Sequence, residues 1–213
     1  MMRVAAVSLV LSIVGVTSAR AQDPPPKIGP FVIDIRGVVP RFPADADLAA
    51  SRDVTVAELP GRGLGIQIGA HVYPLRWRAM TFGVGGELVK SRSRRTPAEG
   101  QGAAVRATDE KFTSLTPQLS FNFGTGRGWS YISAGIARST RSLIPAGRAP
   151  FPADSEKLKT INYGGGARWF AKTHVAFTFD VRFYAINPGS PYRTFPASPR
   201  TRLMVIGAGV SIK

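Results

Sequence analysis

The chain has 213 residues, 44% of them hydrophobic, no cysteine and a formal net charge of +15. The absence of cysteine excludes a disulfide framework and thiolate catalysis. With 23 glycines and 17 prolines, it is rich in turn-forming residues.

Residues 1–21 read as a secretory signal peptide. Arg3 is a basic n-region, residues 4–16 are an apolar h-region, and Ala19-Arg20-Ala21 offers a cleavage site before Gln22. No later run reaches about 18 apolar residues, so no spanning helix is expected. Residues 22–30 form a short N-terminal segment. From Phe31 to the end of the chain, period-two alternation recurs in eight runs: residues 31–36, 64–72, 82–88, 118–123, 132–137, 161–169, 175–184 and 204–212. Each has the length of a strand. The seventh is the clearest. Val175, Phe177, Phe179, Val181 and Phe183 make one face, while Thr178, Asp180, Arg182 and Tyr184 lie on the other. A soluble strand hides such an apolar face, whereas a transmembrane barrel strand turns it to lipid.

The connections sort by length. Residues 73–79, 124–128 and 171–174 are short; residues 40–61, 90–114, 138–159 and 187–202 are long. Strict alternation of long and short is the layout of an up-and-down barrel with short periplasmic turns and long extracellular loops. The expected fold is therefore all-β: an eight-stranded antiparallel up-and-down transmembrane β-barrel over residues 31–213, with both termini periplasmic. Trp77, Trp129 and Trp169 each sit in or beside a short turn, where indole suits a periplasmic aromatic girdle.

The polar faces of the strands carry Asp34, Glu87 and Asp180 against Arg36, Arg168 and Arg182. Buried charges persist when paired, and a barrel of eight strands is just wide enough for side chains to fill it. These six residues are expected to form a charge network that plugs the lumen. The positive excess lies in the second, third and fourth long connections, which suits an anionic lipid headgroup layer. The basic residues are not interleaved with stacking aromatics, so no nucleic-acid partner is expected.

The long connections share a short pattern: Phe42-Pro43-Ala44-Asp45, Thr96-Pro97-Ala98-Glu99, Phe151-Pro152-Ala153-Asp154 and Phe195-Pro196-Ala197-Ser198. Proline before a small and then an acidic or hydroxyl residue suits a turn or a first helical turn, and the four could fold over the barrel mouth. Asp45, Asp47, Asp154 and Glu156 could surround a divalent cation, but four carboxylates divided between two connections define no site, and neither metal nor cofactor is expected. Catalysis is not expected. A hydrolase needs a nucleophile, a nearby histidine and an orienting group, and the two histidines, His71 and His174, fall on a strand and in a short turn.

Asn162-Tyr163-Gly164-Gly165-Gly166-Ala167-Arg168-Trp169, followed by Phe179-Asp180-Val181-Arg182-Phe183-Tyr184, resembles the last strands of small OmpA-like outer-membrane β-barrels. Tyr131-Ile132-Ser133-Ala134-Gly135-Ile136 resembles a mid-barrel strand of that family. The resemblance implies a bacterial outer-membrane location, folding by the barrel assembly machinery and a monomer in contact with lipopolysaccharide where that is present. The chain departs from the family in ending Val210-Ser211-Ile212-Lys213 rather than on an aromatic residue. Two other functions fit the residues. Inward glycines could leave a narrow pore for small solutes. Alternatively, the Val175–Phe183 face could point inward around an apolar ligand, as in a soluble periplasmic lipocalin-like binder.

Overall fold

The structure, a computed structural model, describes residues 26–98, 100 and 105–213. The signal-peptide reading of residues 1–21 and the role of Glu99 lie outside the described residues. Eight strands follow one another: β1 (Phe31–Arg41), β2 (Leu64–Trp77), β3 (Met80–Arg95), β4 (Thr108–Thr125), β5 (Gly128–Pro145), β6 (Ser155–Phe170), β7 (Val175–Ile186) and β8 (Thr201–Ile212). Each pairs antiparallel with its sequence neighbour, and β8 closes on β1. Closure removes every sheet edge, which is what lets strands cross a bilayer with no unpaired backbone group.

The alternation sets which side of the wall each residue takes. Ile33, Ile35, Ile66, Ile68, Val84, Leu119, Ile132, Ile161, Phe177, Phe179 and Val210 point outward and are exposed, making an apolar belt around the barrel. In water such a surface far exceeds the few hundred Å² of apolar patch that a soluble monomer tolerates. The seventh run settles the lipocalin-like alternative against it. Phe177 is 66% exposed and Asp180 1% exposed, so the apolar face lies outside and the charged face inside.

Two connections are shorter than their sequence suggests. Residues 90–95 and 108–114, like 138–145 and 155–159, continue β3, β4, β5 and β6. Apart from Ile144, their outward side chains are charged or polar, which hides the alternation from an apolar-pattern reading. The inward ones (Ser91, Ser93, Glu110, Phe112, Ser139 and Arg141) remain buried, and the hydrogen-bond ladder runs on without a break in register from Met80 to Arg95 against β4. As a result β4 and β5 have 18 residues, against 12 in β7 and β8. The remaining long connections are residues 42–63, 96–107, 146–154 and 187–200.

The interior is layered. Nearest the short turns, Ile28, Val32, Trp129 and Tyr131 pack together with Tyr73 and Phe170. Toward the long loops, Val38, Phe42, Val89, Phe112, Leu158, Tyr184, Ile186, Leu203 and Val205 form a second apolar layer. The strand charges lie between the two.

Candidate functional site

The charged layer is built by inward positions of β1, β3, β6 and β7. Asp34 accepts two hydrogen bonds from Arg168, at 2.8 Å to Nε and 2.6 Å to Nη2, and lies 2.9 Å from Arg36. Ser211 donates to the same carboxylate. Across the lumen, Arg182 Nε stands 2.9 Å from Asp180 and 2.8 Å from Glu87. The two halves are joined by Arg36, which reaches Glu87 at 3.7 Å and donates to the Tyr131 hydroxyl at 3.0 Å. Tyr131 in turn donates to Asp180. Asn162 and Ser133 accept from Arg182 at 2.9 Å each, and Tyr184 donates to Glu87 at 3.0 Å. Asp34, Arg36, Glu87, Arg168, Asp180 and Arg182 are thus brought together, all at most 2% exposed. Such a layer persists because charge meets charge and most remaining polar atoms find neutral partners.

The neutral partners are not evident in an inventory of charges. Tyr131, Ser133, Asn162, Thr178, Tyr184 and Ser211 share the inward parity of the charged residues, and that parity is the signal that could have identified them. Glycines make the space. A Cβ on Gly164 or Gly166 would strike the Val181 or Phe179 carbonyl, and the volume above these glycines holds the Arg182 side chain and the Tyr131 hydroxyl. The room that suggested a pore is therefore occupied.

The tryptophans divide. Trp77 and Trp169, each 58% exposed, point outward beside the short turns, and Arg78 lies over the Trp77 ring at 5.4 Å. Trp129 does not join them. It is 3% exposed, stacks on Phe170 with ring centroids 5.1 Å apart, and meets Tyr73 edge-on at 6.0 Å. Its strand explains this: Ile132 and Ala134 face outward, so residues 129, 131 and 133 must face inward. Trp129 is part of the lumen floor, which Lys213 covers from below with its ammonium 3.9 Å from the Phe170 ring centre.

The opposite mouth is closed by a strap. The β1–β2 connection carries a short helix, α1 (Ala46–Ala50), and a 3₁₀ turn (Val56–Glu58). Its Leu48, Ala49 and Leu59 pack on Leu143 of β5, the strand opposite β1 in the ring. Ion pairs fasten it. Arg52 binds Glu156 and the Ala153 carbonyl, and Arg148 holds Asp154 at 2.7 Å and 2.8 Å while reaching the Arg52 carbonyl. Arg106 binds Glu58 through its backbone N–H at 2.7 Å and Nε at 2.9 Å. Burial pushes the Glu58 carboxyl up. The hydrogen bonds from Arg106 and from the Thr55 backbone outweigh that and bring it down to about 2. Beneath the strap, Arg141 pairs with Glu110 at 2.6 Å and donates to Thr201 at 3.1 Å.

The repeated proline pattern supplies much of this closure. Asp45 caps α1 by accepting from Leu48 N–H at 2.7 Å, and Phe42 enters the upper apolar layer. Asp154 closes a 3₁₀ turn on Phe151 N–H at 2.7 Å. Ser198 donates to Glu156 at 2.8 Å, and Phe151 stacks on Phe195 at 6.2 Å. Asp45, Asp154 and Glu156 are therefore spent separately, and no group of metal-holding side chains occurs among the described residues. The histidines lie apart. His71 faces inward from β2 without an ion pair among the described residues, and His174 meets the Lys213 carbonyl at 3.1 Å.

These features define the class: a closed up-and-down β-barrel of eight strands, apolar outside, filled inside and capped at both ends. Compared by sequence, the chain matches no family model and no curated protein. Compared by structure, it is similar to Neisserial surface protein A, at 16% identity over 87% of this chain and 97% of that one, with a TM-score of 0.54. It is similar also to Ail, the attachment invasion locus protein of Yersinia pestis, at 15% identity over 85% of this chain and 97% of that one, with a TM-score of 0.51. The fold is that of the eight-stranded outer-membrane β-barrels.

Proposed function

We propose that this chain is a bacterial outer-membrane barrel with a non-catalytic, surface-interaction role. The observation that carries this reading is the pairing of an unbroken apolar belt outside with a fully buried charge layer inside. In this reading the short turns and both termini face the periplasm. The long-loop end, with its outward Lys90, Arg94, Arg138, Lys157 and Lys159, lies against anionic headgroups at the cell surface. The chain reaches the membrane through the barrel assembly machinery and works as a monomer. Trp77 and Trp169 are its periplasmic girdle. Conduction is opposed by the aromatic floor, the charge layer, the upper apolar layer and the strap, which occupy successive levels of the lumen and its mouth.

Membrane fractionation and planar-bilayer recording test this. Recovery is expected only with detergent, and no steady single-channel current is expected. Recovery from the soluble periplasm without detergent would defeat the membrane reading, and a steady current would defeat the filled lumen.

A further inference from the structure

The segment before β1 and the residue after β8 converge on one turn. Below β1, Gly29 at φ 110° bends the chain under the barrel, a conformation that glycine takes without strain. Pro30 holds the start of the bend by accepting from the Tyr73 N–H at 2.9 Å. Ile28 then enters the floor among Val32, Tyr73, Trp129, Tyr131 and Phe170. Beyond it, the Pro26 carbonyl accepts a hydrogen bond from the Gly126 N–H in the β4–β5 turn. From the other side, the Lys213 ammonium donates to the Gly126 carbonyl and lies over the Phe170 ring. Gly126 is thus held through both of its backbone polar groups, once from the first strand and once from the last.

The turn is shaped for this contact. A Cβ on Gly126 would come within 2.6 Å of the Lys27 carbonyl oxygen and 3.1 Å of the Pro26 carbonyl oxygen. The Gly126 backbone itself lies outside the left-handed region, so the missing side chain serves the close approach of residues 26–27 and not the turn. The β4–β5 turn also stands opposite the β1–β8 seam in the ring. In a flat sheet, three strand spacings, roughly 14 Å, would part β1 from β4 and β8 from β5, too far for a lysine side chain to span. The floor likewise draws its residues from β1, β2, β5 and β6, which meet only when the sheet is rolled.

We propose that residues 26–28 and Lys213 form a latch on Gly126, which engages after the ring closes and holds the β1–β8 seam shut. This seam is the one junction of the barrel whose two strands are not consecutive in the chain. The latch ties both of its strands to a single point on the far wall. The same contacts back the rings that cover the charge layer: Arg168 lies 4.1 Å from the Tyr131 ring centre and 5.6 Å from that of Trp129. Contacts made after closure are absent from the transition state for folding, so their loss speeds unfolding and leaves the folding rate alone.

Folding and unfolding rates of the chain in detergent micelles, followed by the fluorescence of Trp129 and its neighbours, test the latch. I28A should speed unfolding roughly thirtyfold, as a truncated core isoleucine does. G126A should speed it roughly tenfold and K213Q roughly fivefold. Folding rates should stay within about twofold of wild type. Because Ile28 and Gly126 serve one contact, I28A/G126A should unfold at most about twofold faster than I28A alone, where independent effects would multiply to roughly three-hundredfold. In the wild type the Gly126 amide should exchange as slowly as the amides of β4, and in I28A as fast as that of Thr173 in the β6–β7 turn. Multiplied effects in the double variant would overturn the latch. So would folding slowed as much as unfolding is sped, or a Gly126 amide that exchanges freely in the wild type. The wild-type amide measurement needs no variant and decides the question even where a variant does not fold.

Discussion

The lumen and the strap use the same chemistry in different solvents. Arg168–Asp34 and Arg182–Asp180–Glu87 join strands far apart in sequence, lie between apolar layers and are shut away from water. Arg106–Glu58 joins two loops at the mouth and Arg148–Asp154 braces one, each with one partner partly in solvent. Desolvation makes the first set costly to break, because a lost partner strands a buried charge. Hydration makes the second set adjustable. The lumen pairs therefore hold the barrel in one register, and the strap pairs hold a lid that can be loosened without unfolding the wall.

The comparison is broken most directly at Arg182. Arg182→Ala leaves Glu87 and Asp180 facing each other, Ser133 without its donor and Asn162 with Gln118 alone as donor. It should cost about 3–5 kcal/mol and lower the melting temperature of the barrel in detergent. A melting point equal to wild type would show that the lumen charges are hydrated singly rather than paired.

Glu58→Gln tests the strap, with an expected loss of about 1–2 kcal/mol confined to the mouth. Amide exchange should rise in residues 46–59 and stay unchanged in β6 and β7. The same site sets a pH response. Its folded carboxyl titrates near 2, below its ordinary 4.5. Its contribution is therefore complete above about pH 4.5 and is lost as pH falls toward 2. Exchange in residues 46–59 should rise over that window in the wild type and much less in the Gln variant. Uniform exchange across the pH range would exclude Glu58 as the fastening. The smallest effect belongs to Arg92–Asp109, bidentate at 2.6 and 2.7 Å but in solvent. Arg92→Gln should change stability by less than about 1 kcal/mol and respond to salt; a loss as large as that of Arg182→Ala would erase the distinction between the regions.

What the sequence discloses follows the periodicity. Alternation marks the strands, their faces and the inward charges because both faces obey one rule, with apolar residues outside and polar residues inside. It fails where that rule lapses. At Val38-Val39, Leu88-Val89 and Val205-Ile206 both faces are apolar, and the inward members build the upper layer. At Lys90, Arg92 and Arg94 the outward members turn charged while the strand goes on. Trp129 shows a different failure: nearness to a turn suggests the girdle, while the parity of its own strand turns it inward. The strap is invisible to periodicity altogether. Its position depends on Leu48 meeting Leu143 across the ring, and no local pattern encodes a contact of that range.

The unequal strands have one more consequence. β7 ends opposite Thr160, while β6 begins at Ser155 and β5 runs to Pro145. With 18 residues against 12, the tall side rises roughly 20 Å further along the strand than the low side, at about 3.4 Å per residue. Within the bilayer the cylinder is nearly the same from every bearing. Above it, the molecule has a front and a back, a bare parapet on one side and a folded sill on the other. A neighbour diffusing in the plane of the membrane would meet different surfaces according to its direction of approach, so even a lone barrel of this shape imposes an orientation on whatever docks beside it.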